Sequence, residues 1–105
     1  MKNEIEVMPR ILREERHLAI IRWLKKMPAY QANERIAGLW LKKVGLCASS
    51  EALRDNLQNL EQAGLIKTSW HEALMVIELT RRGADAAEGL IAVEGVSPPG
   101  PECPY

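Results

Sequence analysis

The chain has 105 residues, of which 14 are basic and 14 acidic, so its formal net charge is zero. This length provides one small hydrophobic core and excludes a two-domain enzyme. The neutral balance excludes a general attraction to nucleic acid or to an acidic membrane, so any binding of nucleic acid requires a local basic patch.

The two cysteines, Cys47 and Cys103, do not have the spacing of a disulfide framework or of a zinc site. The first residues of the chain contain no apolar signal core, and no apolar run approaches the roughly 18 residues that cross a bilayer. We therefore expect a cytoplasmic protein with no metal, no cofactor and no membrane partner.

The first predicted elements are a loose arm and a long helix. Pro9 suits a helix entry better than a helix interior, so residues 1–9 are predicted to be an N-terminal arm. Residues 10–27 contain no glycine or proline and predict helix 1. Apolar side chains cover an arc of about 200° on this helix, whereas one core needs about 100°. The surplus predicts a homodimer whose interface contains Ile20, Trp23, Leu24 and Met27.

Two shorter helices are predicted next. Asn33 is the N-cap of helix 2, residues 34–44, and Ser49 is the N-cap of helix 3, residues 50–63. Gly45 and Gly64 end these helices as left-handed caps. The apolar spacing assigns the following residues of the two helices to the core: Ile36, Trp40 and Val44, then Leu53, Leu57 and Leu60.

The pattern then changes to strands. Residues 65–70 and 73–79 are β-prone and flank the polar pair His71-Glu72, which predicts a hairpin. Thr80 caps a short helix 4 over residues 81–88. Residues 97–105 contain four prolines and are predicted to be extended or disordered, lying across a partner subunit. The resulting domain prediction is an arm (1–9), one domain (10–90) and a proline-rich tail (91–105). Leu24, Ile66 and Ile77 are also predicted to lie in the core.

This order of elements resembles the winged helix-turn-helix fold, in which helices 2 and 3 form the helix-turn-helix and the hairpin forms the wing. Residues 49–66 resemble the winged-helix pattern "Ser…Leu…Leu…Leu-Glu-x-x-Gly-Leu-Ile", and residues 79–83 resemble the "Leu-Thr-x-x-Gly" that follows the wing. The resemblance implies a mainly α fold with a small two-stranded antiparallel hairpin.

Four segments resemble the small winged-helix proteins of Mu-like bacteriophages and prophages. They are residues 28–34, 45–49, 79–89 and 93–96, the last lying before a proline-rich end. The resemblance implies a phage or prophage gene and a winged-helix fold. It supplies no binding residues that transfer to this chain.

Helix 3 is the surface that would read double-stranded DNA. Arg54, Gln58 and Asn59 project outward and have the hydrogen-bonding groups that recognise base edges in the major groove. Phosphate contacts are predicted for Ser49, Ser50, Lys42 and Lys43.

Charge opposes this prediction, because helix 3 carries three acidic residues against Arg54 alone, beside a polyanion. The wing tip, residues 68–72, contains no lysine or arginine. Its Trp70 would stack on a base or on a partner, or pack across the hairpin.

Neither His17 nor His71 forms a nucleophile–base pattern in the sequence, so we do not expect an enzyme. Two functions remain open. The first is a DNA-binding transcriptional regulator that acts as a homodimer. The alternative is a protein–protein interaction module in phage development or morphogenesis, with a phage or host protein as its partner and no DNA binding.

Overall fold

A computed structural model describes the backbone of residues 2–105 and the side chains of residues 7–105. That part of the chain contains four α-helices and a three-stranded antiparallel sheet. The helices are α1 (Lys2–Lys26), α2 (Glu34–Lys43), α3 (Ser50–Gln62) and α4 (Arg81–Ala87), and the strands are β1 (Gln31–Asn33), β2 (Ile66–His71) and β3 (Leu74–Leu79).

The first helix is longer than predicted, because α1 begins at Lys2 and continues through Pro9. Residues 2–9 are therefore helical, and the prediction of a loose arm is wrong for them; Met1 lies outside the described residues. Pro9 provides no N–H donor and its ring crowds the preceding turn, but the helix continues through it. Met8 and Ile11 are exposed on this first part of the helix.

The sheet has one strand more than predicted. The hairpin of β2 and β3 is present, but β1 pairs with the other edge of β3, so the strand order is β1-β3-β2. In the register, Ala32 of β1 and Thr68 of β2 lie on opposite sides of Ile77. The fold is therefore mixed α and β, with a three-stranded sheet instead of the predicted two-stranded one.

The predicted helix caps are confirmed. The side chains of Asn33, Ser49 and Thr80 each accept a hydrogen bond of 3.0 Å from a backbone N–H three residues later. Helices α2, α3 and α4 each end one residue earlier than predicted, at residues 43, 62 and 87. Gly45 and Gly64 follow α2 and α3 with positive φ, as the sequence predicts.

The predicted core is correct except on α2. Ala37 and Leu41 are the buried residues of this helix, whereas Ile36 is 41% exposed and Trp40 is half-buried. The helix is thus rotated by about one residue, or about 100°, from the predicted phase. The small Ala37 faces the core, and Trp40 lies at its border. The remaining predicted core residues are buried: Leu24, Leu53, Leu57, Leu60, Ile66 and Ile77.

The wide apolar arc of α1 is covered by the same chain. Ile20 and Leu24 have no exposed surface, Trp23 is 7% exposed, and Met27 is partly buried against the core. The ring of Trp23 stacks on that of Trp40 at 6.4 Å between centroids and 13° between planes. α2, α3, α4 and β3 all pack on α1. The four residues predicted to form a dimer interface are therefore covered within the chain, and the uncovered apolar face that the prediction assumed is absent.

The C-terminal tail (residues 91–105) completes this cover. It is ordered and returns along α1, where the Ser97 backbone N–H donates to the Glu14 carbonyl. The Tyr105 hydroxyl donates to the Glu15 carboxylate at 3.1 Å, and Tyr105 is buried. Burial is the main reason why the pKa of Tyr105 is raised to about 12, and this hydrogen bond is the second reason. The predicted extended tail thus lies on its own chain.

Over the described residues, no helix combines the length and the apolar character needed to cross a bilayer.

Candidate functional site

A groove of 610 Å³ opens between α2, the turn after it, the first turns of α3 and the start of β3. Leu53 is buried in the wall of this groove, whereas Leu39 and Leu74 are exposed apolar residues along it. The polar and charged residues that line it include Glu34, Arg35, Lys42, Ser50 and Arg54. The groove therefore combines apolar surface with a cluster of charges.

Arg16 of α1 contacts the turn between α2 and α3. Arg16 donates from Nε to the Leu46 carbonyl at 3.0 Å and from Nη2 to the Cys47 carbonyl at 2.8 Å. Gly45 has φ +78°, which turns the chain out of α2, and Ser49 caps α3. The relative placement of α2 and α3, and hence of the walls of the groove, is fixed by these contacts.

Arg54 joins three elements at one end of the groove. Its Nε and Nη2 donate to the two carboxylate oxygens of Glu34, at the start of α2, at 2.9 and 2.8 Å. Its guanidinium carbon also lies 5.0 Å from the ring centroid of Trp70 on β2. This forked pair with a stacked face uses the planar donor geometry that distinguishes arginine from lysine.

The pair keeps both of its members charged. Hydrogen bonding by Arg54 is the main reason why the pKa of Glu34 lies below its ordinary value, and it outweighs partial burial, which acts in the other direction. The backbone N–H of Met75 lowers this pKa further. The same hydrogen bonds raise the pKa of Arg54. The carboxylate of Glu34 thus already has partners within the chain.

Glu61 on α3 is also engaged within the chain. Its carboxylate accepts hydrogen bonds from the Thr68 backbone N–H at 3.0 Å and from the Thr68 hydroxyl at 2.9 Å. A backbone donor of the edge strand β2 is thereby covered by a charged side chain, which disfavours pairing with another strand. Glu51 and Asp55, the other acidic residues of α3, are likewise exposed.

The structure brings together some of the residues predicted to contact DNA and separates others. Lys42, Ser50 and Arg54 line the groove, whereas Lys43 is exposed and does not line it. Ser49 is used as a helix cap. The other two predicted base-reading residues are exposed on α3 but do not line the groove: Gln58 and Asn59. Asn59 instead lines a second cavity of 410 Å³ on the other flank of α3.

His17 is the buried polar residue that connects α1 with the tail. It is 4% exposed, and its Nδ1 donates to the Gly95 carbonyl at 2.7 Å, because a carbonyl can only accept. Within the described residues, neither its Nε2 nor the buried Asn56 Nδ2 has a hydrogen-bond partner. Burial is the main reason why the pKa of His17 is lowered, and the bond to Gly95 opposes it.

The described side chains give no sign of a metal centre. Among them, no group of three or more His, Cys, Asp and Glu lies close enough to hold an ion. Cys47 and Cys103 are free thiols, exposed and half-buried respectively.

Sequence reasoning did not identify four residues that build the groove or its charge pair: Glu34, Leu39, Trp70 and Leu74. The sequence allows Trp70 to stack on a base, to stack on a partner or to pack across the hairpin, but it carries no signal of the contact with Arg54. Leu39 had a usable signal, because correct phasing of α2 on Ala37 and Leu41 places Leu39 outward. The Glu34–Arg54 pair spans 20 residues and has no local signal.

Comparison with known proteins finds a phage relative. The chain is 35% identical over 91 residues to the uncharacterized protein gp26 of Escherichia phage Mu. The aligned region covers 87% of this chain and 94% of gp26. No family model matches the chain, and no solved structure matches it.

Proposed function

The chain belongs to the family of the uncharacterized protein gp26 of Escherichia phage Mu, and we propose that it is a winged-helix interaction module of a phage. In this proposal, the groove between α2, α3 and the hairpin binds another protein. The relation to phage Mu agrees with the resemblance seen in the sequence. The fold name, the mode of binding and the partner are the proposed parts.

The order of elements supports a winged-helix fold. A first helix, a short strand, two helices joined by a turn and then a hairpin follow one another, and the short strand completes the sheet beside β3. This arrangement corresponds to a helix-turn-helix formed by α2 and α3, with the hairpin as the wing. On this assignment α3 is the recognition helix.

The pairing of Arg54 with Glu34 is the main reason to propose protein binding and not DNA binding. Arg54 is the one basic residue of α3, and its Nε and Nη2 donors, which form one of the two edges that a guanidinium can direct at a guanine or a phosphate, are bonded to the Glu34 carboxylate. The charge of Arg54 is thereby paired within the chain. The three acidic residues of α3, Glu51, Asp55 and Glu61, are all exposed. A helix that presents carboxylates and no free cation is poorly suited to a polyanion, whose phosphates dominate affinity.

Apolar exposure beside the groove supports the same choice. Leu39 is 54% exposed and Leu74 is 37% exposed, and they belong to different elements that meet at the groove. Trp70 is also exposed near this end, with Arg54 over its ring. Apolar side chains on a concave surface are typical of a protein-binding site, whereas phosphates offer them no partner.

The second candidate is the DNA-binding transcriptional regulator that acts as a homodimer. It is favoured by the exposed side chains of Lys42 and Lys43 at the end of α2 and of Gln58 and Asn59 on α3. This candidate requires Arg54 either to leave Glu34 or to contact DNA while its charge is paired with Glu34. It also requires a dimer interface other than the buried residues of α1.

Titration of labelled genomic DNA fragments at about 50 mM salt separates the two candidates. The parent chain is compared with the double variant Glu51→Gln, Asp55→Asn, which removes two of the three exposed carboxylates of α3. We expect no DNA binding by either protein. Weak binding by the parent that strengthens in the double variant would mean that α3 faces DNA and that the proposed function is wrong.

A further inference from the structure

We propose that the groove binds an acidic, amphipathic helical segment of a partner protein, with its apolar side chains on Leu39 and Leu74 and its carboxylates beside Arg35 and Lys42. This inference rests on the proposed function and specifies the chemistry of the partner. Its basis is the distribution of charge, apolar surface and backbone donors around the groove.

The charge of the groove is positive although the chain is neutral. Its lining contains three cations, Arg35, Lys42 and Arg54, and one carboxylate, Glu34. Because Glu34 is paired with Arg54, the charges left for a partner are those of Arg35 and Lys42. Across the described residues, neither of these two takes part in an ion pair. A partner that supplies carboxylates at these positions is complementary to the groove.

The apolar part of the groove is accessible because α2 presents Gly38 there. A Cβ at this position would lie 3.5 Å from the Leu53 side chain, so glycine leaves space in front of the wall formed by Leu53. Leu39 and Leu74 stand exposed beside this space. Covering their side chains removes apolar surface from water, which favours association by about 25 cal/mol per Å².

The backbone around the groove indicates how the segment binds. Two of the walls are the helices α2 and α3, whose interior N–H and C=O groups are bonded within each helix. On the side of β3, residues 76–78 are paired with β1 and residues 74–79 with β2. Few backbone groups are left to pair with an added strand. A helix that presents side chains to the groove fits this arrangement better than an extended segment.

The test is a selection of displayed random peptides of about 16 residues, about 24 Å long as a helix, on the immobilised full chain. Selected peptides are synthesised and their affinities are measured for the parent, for Leu39→Glu and for the double variant Arg35→Glu, Lys42→Glu. The control is Lys67→Glu, which reverses an exposed charge on β2 away from the groove. Circular dichroism confirms that each variant is folded.

We expect the selected peptides to contain more Asp and Glu than Lys and Arg, with leucine-like residues at helical spacing. Their affinity should fall about tenfold or more in both groove variants and remain unchanged in the control. Peptides that lose affinity in Leu39→Glu but are neutral or basic would overturn the acidic partner and leave the proposed function intact.

The remaining outcomes of the experiment would each contradict the inference or the proposed function. If the selected peptides bind Leu39→Glu with the same affinity as the parent, the groove is not the binding site. A selection that yields no binding peptide would overturn the inference as well. Displacement of bound peptides by double-stranded DNA would count against the proposed function itself. Self-association of the parent on size-exclusion chromatography that Leu39→Glu abolishes would assign the groove to a second copy of the chain and would also overturn the inference.

Discussion

The guanidinium of Arg54 lies over the indole ring of Trp70, 5.0 Å from its centroid, while its Nε and Nη2 donate to the two carboxylate oxygens of Glu34. One side chain thus connects the recognition helix of the proposed winged-helix fold with the wing and with the start of α2. Arg54, which the sequence marks as a base-reading residue, has a structural role in the folded chain.

Replacement of Arg54 should loosen the wing. Arg54→Met removes the forked pair with Glu34 and the cation above Trp70, so we expect the backbone amides of residues 69–73 to exchange hydrogen about two to five times faster. Hydrogen exchange followed by mass spectrometry measures this. The control is Gln58→Met, one turn further along the same helix and also exposed. Unchanged exchange in Arg54→Met would mean that the pair does not hold the wing.

Gly83 explains the glycine of the "Leu-Thr-x-x-Gly" pattern. A Cβ at this position would lie 2.1 Å from the Leu65 carbonyl oxygen and 2.6 Å from a Leu79 methyl carbon. The carbonyl cannot move freely, because it accepts a hydrogen bond from the Thr80 N–H. Gly83→Ala should therefore lower the free energy of unfolding by about 1–3 kcal/mol or more.

Urea denaturation measures the Gly83 effect, and Gly100→Ala is the matched control. A Cβ at Gly100 meets no atom within 4 Å, so that variant should remain within about 0.5 kcal/mol of the parent. Equal stability of the two variants would contradict the close approach of α4 to the start of β2.

The stability of the chain should depend on pH through His17. Burial lowers the pKa of His17 in the folded chain below its ordinary value of 6.5, so the unfolded chain binds the proton more tightly. The contribution of His17 to stability is complete above pH 6.5 and is lost as the pH falls from 6.5 through the lowered pKa. The bond to Gly95 and the charge of Glu14 oppose the shift, and Arg13 adds to it.

Urea denaturation at a series of pH values between about 7.5 and 4.5 tests the role of His17. His17→Gln should remove the part of the loss that begins at pH 6.5, whereas His71→Gln at the exposed end of β2 should keep it. An unchanged profile in His17→Gln would show that other groups cause the loss.

Arg22 should hold the end of the tail on α1. It donates from Nε to the Tyr105 carbonyl at 2.9 Å and from Nη1 to the Ala87 carbonyl at 2.8 Å. Arg22→Met removes both bonds, and we expect a loss of about 1–3 kcal/mol in the free energy of unfolding. Release of the tail should also expose the half-buried thiol of Cys103.

The rate of Cys103 alkylation reports this release. The measurement is made in a Cys47→Ser background, since the exposed Cys47 reacts in any case. Arg22→Met should increase the rate several-fold, whereas Arg81→Met, at the exposed start of α4, should not. An equal rate in both variants would mean that other contacts are sufficient to hold the tail.

The sequence by itself determined the elements whose causes are local. Asn33, Ser49 and Thr80 cap helices because each side chain reaches a backbone N–H three residues away, and the left-handed glycines follow from the absence of a Cβ. The hairpin followed from two β-prone runs that flank the polar pair His71-Glu72. In β3 the alternate residues Met75, Ile77 and Leu79 are buried. The family resemblance pointed to a phage protein, in agreement with the similarity to gp26.

Only the tertiary structure decided the features that depend on distant residues. β1 has three residues and becomes a strand because β3 lies beside it. The phase of α2 follows from which face meets α1, α3 and β3. The apolar arc of α1 suggested a dimer because the sequence cannot show that residues 91–105 return to help cover it. The sequence also cannot show the contacts of Arg54, because Glu34 and Trp70 come close to it only in the folded chain.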